Sequence, residues 1–169
     1  MTRDSELELS GERLTLLLSQ HVVRLQGLLE RAIAPALAAQ DFTAAELDVL
    51  GALRSAGEPY QLRPKELVTR LLLTTGGLSN VLRRLEARDL VSRVPNPHDG
   101  RSHNVRLTPE GVTAAHAVTT AAAAALHGAL SDVPTAALSN ALTQLRTILG
   151  ALGDTPHAPV AAQHPRQGA

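Results

Sequence analysis

The sequence predicts a mainly α-helical protein with one small β-hairpin, and three observations support this fold class. Apolar residues recur at helical spacing near both ends of the chain, capping signals mark several helix starts, and two short extended segments flank a loop rich in turn-forming residues. The 169 residues suffice for one domain with a real core. An apolar content of 44% argues against global disorder.

Long helices are expected towards both ends of the chain. Residues 13–39 carry leucine, valine and isoleucine along one side of a helix that Pro35 should end or kink. An Ala-rich helix beginning at Thr108-Pro109 and a last helix ending near Leu152 follow the middle of the chain. Because these apolar stripes are wider than one packing wall needs, residues 13–39 and 109–152 are predicted to form a helical dimerisation region. Residues 1–12 and 153–169 are expected to be disordered tails.

Residues 42–108 are predicted to form a separate lobe. Thr43 and Glu46 make a capping box, Pro64 suits the first turn of another helix, and residues 74–77 read as a tight turn. Helices are expected over 43–55, 64–72 and 77–89, and short extended segments at 60–62, 91–94 and 104–107. This order of elements predicts a winged helix-turn-helix, whose second helix enters a major groove of DNA.

The composition excludes several classes of function. Without cysteine, the chain can form no disulfide, zinc–thiolate site, iron–sulfur cluster or thiol redox sensor. No two of the seven histidines have the i, i+4 spacing of a helical metal site, so neither a metal nor a cofactor is predicted. The alternative is a metal-sensing regulator whose histidines are brought together only by the fold. The sequence also shows no nucleophile motif or phosphate-binding loop, and we expect that the protein is not an enzyme. Since no apolar run is long enough for a membrane helix, we expect a soluble cytoplasmic protein.

The charge of the chain is unevenly distributed, although 16 basic residues balance 16 acidic ones. Residues 1–62 sum to −4, residues 63–106 to +5 and residues 107–169 to −1. A concentrated basic block is typical of a module that binds a polyanion, whereas a solvated helix face that carries arginine by chance is the alternative.

The helix over residues 77–89 has two contrasting faces. Leu78, Val81, Leu82 and Leu85 form the side expected to be buried. The opposite side carries Asn80, Arg83 and Arg84 with small residues, including Gly76 and Gly77. Asparagine and arginine bind adenine and guanine edges through paired hydrogen bonds, and small residues let the backbone approach DNA. The alternative is an ordinary amphipathic surface helix, but two glycines in a first turn weaken a helix without obvious benefit.

The loop after this helix carries a specific motif set. Asp99 and Arg101 form a D-x-R motif, and the following strand ends in an L-T-x-x-G pattern at Leu107, Thr108 and Gly111. With the segments 73–80 and 84–86, this string resembles the wing and recognition helix of MarR-family transcription regulators. The resemblance covers residues 13–152, approximately.

The resemblance implies a transcriptional regulator that binds a pseudopalindromic double-stranded DNA operator as a homodimer and represses transcription. Arg101 then enters the minor groove with Asp99 as its orienter, since a planar cation fits a narrow, negative groove. The alternative for this pair is a surface ion pair of little energetic value. The residues expected to bind DNA are Thr75, Gly76, Ser79, Asn80, Arg83, Arg84, Arg88 and Arg101.

Residues 62–67 and 14–18 look similar to the urate-responsive branch of the family, but that branch's ligand residues are matched only in part. Asp48 and Arg93 match two of that branch's ligand residues, whereas Val81 stands where the branch has arginine, and the chain has no tryptophan. Asp48 and Arg93 are therefore candidate ligand-binding residues for a small aromatic or phenolic carboxylate that releases DNA. Their alternative role is a structural ion pair between helix and wing. A second function class is a helical dimeric protein-interaction module that has lost DNA binding.

Overall fold

The computed structural model describes residues 11–96 and 99–154, except for the side chains of residues 99–101. It is mainly helical, with one small antiparallel sheet, as the sequence predicted. The elements are, in chain order, α1 (Gly11–Ala38), α2 (Ala44–Ser55), β1 (Gln61–Leu62), α3 (Pro64–Leu71), α4 (Thr75–Ala87), β2 (Val91–Asn96), β3 (Asp99–Leu107), α5 (Pro109–Ala129) and α6 (Thr135–Ala151).

The middle lobe is a winged helix-turn-helix. Helices α2, α3 and α4 pack together, and the three-stranded sheet has the order β1-β3-β2 with both pairings antiparallel. Fully buried leucine and valine side chains from the helices and from β3 form its core: Val49, Leu50, Leu53, Leu67, Leu85 and Val105. This core fixes α4 with one face inward and the other exposed.

The capping box at the start of α2 is present as predicted. The Thr43 hydroxyl accepts a hydrogen bond from the Glu46 amide at 3.3 Å, and the Glu46 carboxylate accepts one from the Thr43 amide at 2.8 Å. These bonds satisfy amide groups that a helix start otherwise leaves unpaired. The start of α2 is therefore specified by local sequence.

The start of α4 differs from the prediction. Residues 74–77 do not form a tight turn, because Thr74 is the N-cap of α4 and its hydroxyl accepts the Gly77 amide at 3.0 Å. The chain reverses direction earlier, at Leu72, which has a left-handed backbone with φ of 51°. The predicted start at residue 77 was wrong because the threonine cap outweighs the weak helix preference of the two glycines.

The hairpin is longer than predicted. Strand pairing runs from Val91↔Leu107 to Pro95↔His103, and the register shifts between Pro95 and Asn96. We expected Pro95 to lie in the loop, but β2 is an edge strand, where a proline need not donate to a ladder. The predicted segments 91–94 and 104–107 are thus only the base of the wing.

Helix α1 passes through Pro35 and ends at Ala38, so of the two outcomes expected at Pro35, an end or a kink, the first does not occur. The Pro35 carbonyl still accepts the Ala39 amide at 3.0 Å, and proline removes only one bond of the helical ladder. Gly11 and Glu12, which we placed in the N-terminal tail, belong to the first turn of α1. The remaining predicted tail residues, 1–10 and 155–169, lie outside the described residues, and Gly153 and Asp154 follow α6.

The outer helices differ sharply in how much of their surface is covered. Helix α5 packs on α1 and α2 and buries Ala115, Val118 and Ala122. Helix α6 buries no residue at all, and α1 buries only Ile33 and Leu37. The large apolar side chains left exposed on α1 and α6 include Leu14, Leu18, Val22, Leu25, Leu28, Leu138, Leu142 and Leu149.

Candidate nucleic-acid interface

Helix α4 has the two faces that its sequence predicted. Leu78, Leu82 and Leu85 are buried, and Val81 is half-buried at the border between the faces. The seven residues of this helix region that we expected to contact DNA are all exposed: Thr75, Gly76, Ser79, Asn80, Arg83, Arg84 and Arg88. The face directed to solvent is therefore polar and carries three arginines, whereas the face directed to the core is aliphatic.

The first turn of α4 is open to a close approach. A Cβ atom built at Gly76 would meet no atom within 4 Å, so neither packing nor a positive φ requires glycine at this position. At Gly77 a Cβ would lie 3.1 Å from the Thr74 hydroxyl, which caps the helix. The amides of a helix start and its positive dipole end attract phosphate, and glycine leaves them uncovered.

The exposed polar side chains of α4 are arranged in two groups. In the first, Arg83 Nη2 donates to Asn80 Oδ1 at 2.8 Å on the outer face. This bond uses the side-chain oxygen of Asn80, and the side-chain NH2 group of Asn80 takes no part in it. The pair thus offers both donors and a charge, which are the groups that recognise base edges and phosphates.

The second group binds α4 to the start of α2. Arg84 Nε lies 3.2 Å from Glu46 Oε1, and the Glu46 side chain is fully buried while that of Arg84 remains 57% exposed. Arg88 Nη1 donates to the Asp41 carbonyl at 2.6 Å, and its guanidinium lies 4.2 Å from the centre of the Phe42 ring. Arg84 and Arg88, two of the predicted DNA-contacting arginines, therefore also contact residues outside α4.

The L-T-x-x-G pattern closes the base of the wing. Thr108 caps α5 through the Gly111 amide at 2.9 Å, and its hydroxyl donates to the Asp89 carbonyl at 2.7 Å. A Cβ at Gly111 would lie 1.8 Å from the Leu90 carbonyl oxygen, so only glycine fits here. The motif therefore fixes the end of α4, the wing and α5 to one another.

The D-x-R motif lies at the tip of this wing. The backbone of Asp99 and Arg101 belongs to the start of β3, but the placement of their side chains lies outside the described part of the structure. Their predicted contact with the minor groove stays a prediction. Behind them, the Asn96 amide donates to the Ser102 hydroxyl at 3.0 Å and joins the two strands.

A basic cleft on α3 escaped the residue-level prediction. Arg63, Lys65, Glu66, Thr69 and Arg70 line an open cleft of about 410 Å³. The hydrogen bond from the Arg63 side chain, reinforced by the Arg63 amide, lowers the pKa of Glu66. The sequence feature that could have predicted this cleft is the net positive charge of residues 63–106, which was attributed to the whole block and not to single residues. The first helix of a helix-turn-helix crosses the DNA backbone, and this cleft suits that position.

The two candidate ligand residues do not meet. Arg93 Nε donates to Glu86 Oε1 at 2.7 Å, which joins the wing to α4. Asp48 is exposed on α2, yet desolvation by the surrounding protein and then repulsion by Glu30 raise the pKa of its carboxyl. The alternative role predicted for Arg93 was an ion pair between a helix and the wing. Such a pair is present, but its carboxylate is Glu86 of α4 and not Asp48.

An apolar cleft lies beside α1, and Glu30 is one of the residues that line it. It has a volume of about 300 Å³ and is lined by side chains of α1 together with Leu126 of α5. The only carboxylate among its lining residues in the described structure is that of Glu30. The cleft thus offers space and apolar surface, but it brings no arginine to a bound anion.

The lobe is similar to proteins of a known family. Residues 40–102 match the model of the MarR family. The chain is 35% identical over 88 residues to the HTH-type transcriptional regulator PecS of Dickeya dadantii, which covers 52% of this chain and 53% of that protein. It is 39% identical over 71 residues to the multiple antibiotic resistance protein MarR of Salmonella typhimurium, which covers 42% of this chain and 47% of that protein. The chain therefore spans about half the length of these curated relatives.

Solved structures extend the similarity of fold beyond the lobe. A MarR variant from E. coli in complex with operator DNA superposes with a TM-score of 0.70 at 25% identity, covering 80% of this chain and 95% of that one. A MarR-family regulator from Rhodococcus has the same fold at 20% identity, with a TM-score of 0.69. The curated relatives are transcriptional regulators and not enzymes, as expected from the sequence.

No helix in the part of the chain that the structure describes has the length and apolar character needed to cross a bilayer. Within residues 11–96 and 99–154, no group of three or more histidine, aspartate or glutamate side chains is arranged to hold a metal ion.

Proposed function

We propose that this chain, whose lobe is a winged helix-turn-helix of the MarR family, is a transcriptional regulator that binds double-stranded DNA. The observation that carries the proposal is the exposed face of α4. It presents Asn80, Arg83 and Ser79 beyond an open helix start at Gly76, within the most basic block of the chain. Such a face fits a major groove, where these side chains can reach base edges.

The regulator acts as a homodimer in this proposal. Helices α1 and α6 expose leucine and valine side chains in continuous stripes. No residue of α6 is buried, so the apolar side of this helix is not covered by the described part of its own chain. A second copy would cover both stripes and set two α4 helices side by side. Two lobes related by a two-fold axis match a pseudopalindromic operator, and a dimer bound over a promoter represses transcription.

The wing supplies the second part of the interface in this proposal. Arg101 enters the minor groove next to the half-site, and Asp99 holds its guanidinium in a pose that can insert. A purely electrostatic account predicts the opposite sign for Asp99, because removing a negative charge should improve binding to DNA. The aspartate thus distinguishes an oriented groove contact from general attraction.

The experiment is a gel shift with duplex DNA from the region upstream of the protein's own gene, repeated with Asp99→Ala and Arg101→Ala. We expect both substitutions to weaken the complex, and Arg101→Ala to lower the log–log salt slope by about one unit per monomer. Tighter binding by Asp99→Ala, together with unchanged binding by Arg101→Ala, would reject the wing contact. No shift by the wild-type chain would favour a protein-interaction module instead.

We also propose that a small aromatic or phenolic carboxylate releases the DNA. The support is Arg93, a half-exposed cation at the base of the wing. The apolar cleft between α1 and Leu126 is a separate candidate site, because Arg93 does not line it. Because Arg93 already pairs with Glu86, a carboxylate would have to compete with that bond. Calorimetric titration with 4-hydroxybenzoate should show weak binding that Arg93→Ala reduces, and unchanged affinity would remove Arg93 from the site.

A further inference from the structure

Glu46 caps α2 and also contacts Arg84 on α4, and a capping residue does not need the second contact. One carboxylate oxygen, Oε2, accepts both the Thr43 amide at 2.8 Å and the Thr43 hydroxyl at 2.9 Å. The other oxygen, Oε1, is buried and has no hydrogen bond with good geometry, and its close neighbour is Arg84 Nε at 3.2 Å. A buried carboxylate requires a counter-charge. Arg84 supplies it from α4, which is called the reading helix below because it is the helix that enters the major groove in the proposed function.

The contact engages the guanidinium of Arg84 at its Nε end. No hydrogen bond within the described structure uses the two terminal amino groups of Arg84, and the side chain as a whole stays 57% exposed. A fixed guanidinium with free amino groups has the form that binds the O6 and N7 atoms of guanine through two hydrogen bonds. Holding the fork in advance also reduces the rotamer entropy that binding must remove.

We propose that Glu46 is a positioning residue that holds Arg84 of the reading helix in the pose required to recognise a base pair. This proposal rests on the DNA-binding function proposed above. It extends the interface to a residue of α2 that is buried and cannot itself touch DNA. The helix cap of α2 and the specificity of α4 then depend on the same carboxylate.

Glu66 provides a matched comparison within the chain. It occupies the same capping-box position in α3 and accepts the Arg63 amide at 2.7 Å. Its ion pair is with Arg63 of its own helix start, and both side chains are substantially exposed. Glu66 therefore shares the capping role of Glu46 but has no contact with α4.

The test measures specificity and stability separately in five full-length variants, four single variants and the double variant Glu46→Gln/Arg84→Ala. Glu46→Gln can keep one cap acceptor but removes the charge that faces Arg84, and Glu66→Gln is its control. Arg84→Lys keeps the positive charge but loses the fork, and Arg84→Ala removes both. Fluorescence anisotropy gives the affinity for the upstream duplex and for duplexes with single base-pair changes, and thermal unfolding reports stability.

We expect Glu46→Gln to lower the affinity ratio between the upstream duplex and one altered duplex by about tenfold, the scale of one good base contact. Arg84→Ala should lower the ratio for the same base pair, and the double variant should lose no more than either one. Arg84→Lys should recover stability without recovering that ratio. Glu66→Gln should leave the ratio unchanged, because a change in the α3 cleft that faces the DNA backbone would alter the affinity for all duplexes equally.

Two results would overturn the inference while the DNA-binding function stands. The first is an unchanged affinity ratio in Glu46→Gln. The second is an affinity ratio that Arg84→Lys restores together with stability. Either result would mean that the Glu46–Arg84 ion pair stabilises the lobe but has no role in specificity. If the wild-type chain binds all duplexes equally, the inference and the proposed function both fail.

Discussion

At the scale of single residues, Gly111 is the position where the fold permits no side chain. A methyl group there would lie 1.8 Å from the Leu90 carbonyl oxygen, which is backbone and cannot move aside without shifting the wing. We expect Gly111→Ala to destabilise the protein by about 1–3 kcal/mol or more, the cost of overpacking. Urea unfolding measures it. Gly128→Ala in the same helix meets no atom within 4 Å and should be neutral or stabilising; an equal loss in both variants would contradict the account.

Asp48 should make stability depend on pH. Desolvation and the charge of Glu30 raise its pKa above the ordinary value of 3.8, so the folded state binds the proton more tightly than the unfolded state. The contribution of Asp48 is therefore most favourable in acid and is lost as pH rises through the window between those two pKa values. Asp48→Asn should unfold at higher urea concentration than wild type at pH 7, and this advantage should shrink towards pH 4. The exposed Asp132→Asn is the control, and an advantage that grows in acid would reverse the sign.

At the scale of the reading helix, Gly76 separates stability from binding. Nothing packs against it, so alanine should stabilise α4 by up to about 1 kcal/mol through helix propensity. The same methyl group would hold the helix start away from phosphate, so the affinity for DNA should fall. Thermal unfolding and anisotropy on one preparation measure the two effects. Unchanged or tighter DNA binding would show that the first turn of α4 does not approach DNA.

Local signals in the sequence were enough to predict most helices. The Thr43–Glu46 cap, Pro64 and Thr108-Pro109 each act within one turn, and all three mark true helix starts. The start of α4 was predicted wrongly because two competing local signals, a threonine cap and a glycine pair, stand next to each other. The extent of the wing was underestimated because pairing with β3 decides it, and pairing is not local.

The contacts of the candidate site depended on the fold and not on spacing in the sequence. Asparagine and arginine on the outer face of α4 followed from periodicity alone. The partners of Arg84, Arg88 and Arg93 did not, because each lies on another element that only the tertiary structure brings close. For the same reason, the sequence analysis placed Asp48 and Arg93 in one ligand site, whereas in the structure Arg93 pairs with Glu86.

At the scale of the whole molecule, the outer helices should hold two chains together. Leu142 on α6 is 48% exposed, and no residue of this helix is buried against the described part of the chain. Leu142→Glu should shift the protein from dimer to monomer in sedimentation at micromolar concentration, because it places a charge in an apolar interface. Leu72→Glu alters an even more exposed leucine in the lobe and should stay dimeric. A monomeric wild-type chain would contradict the assembly.

Dimeric, sequence-specific recognition of DNA is the property in which the lobe, the reading helix and the outer helices come together. Its most direct measurement is an anisotropy titration of the wild-type chain against the upstream duplex and a shuffled duplex of equal composition, at one physiological salt concentration. The account predicts that the upstream duplex binds at least about a thousandfold more tightly, the lower end of the range for specific DNA-binding proteins. Equal affinities for the two duplexes, or no binding to either, would contradict it.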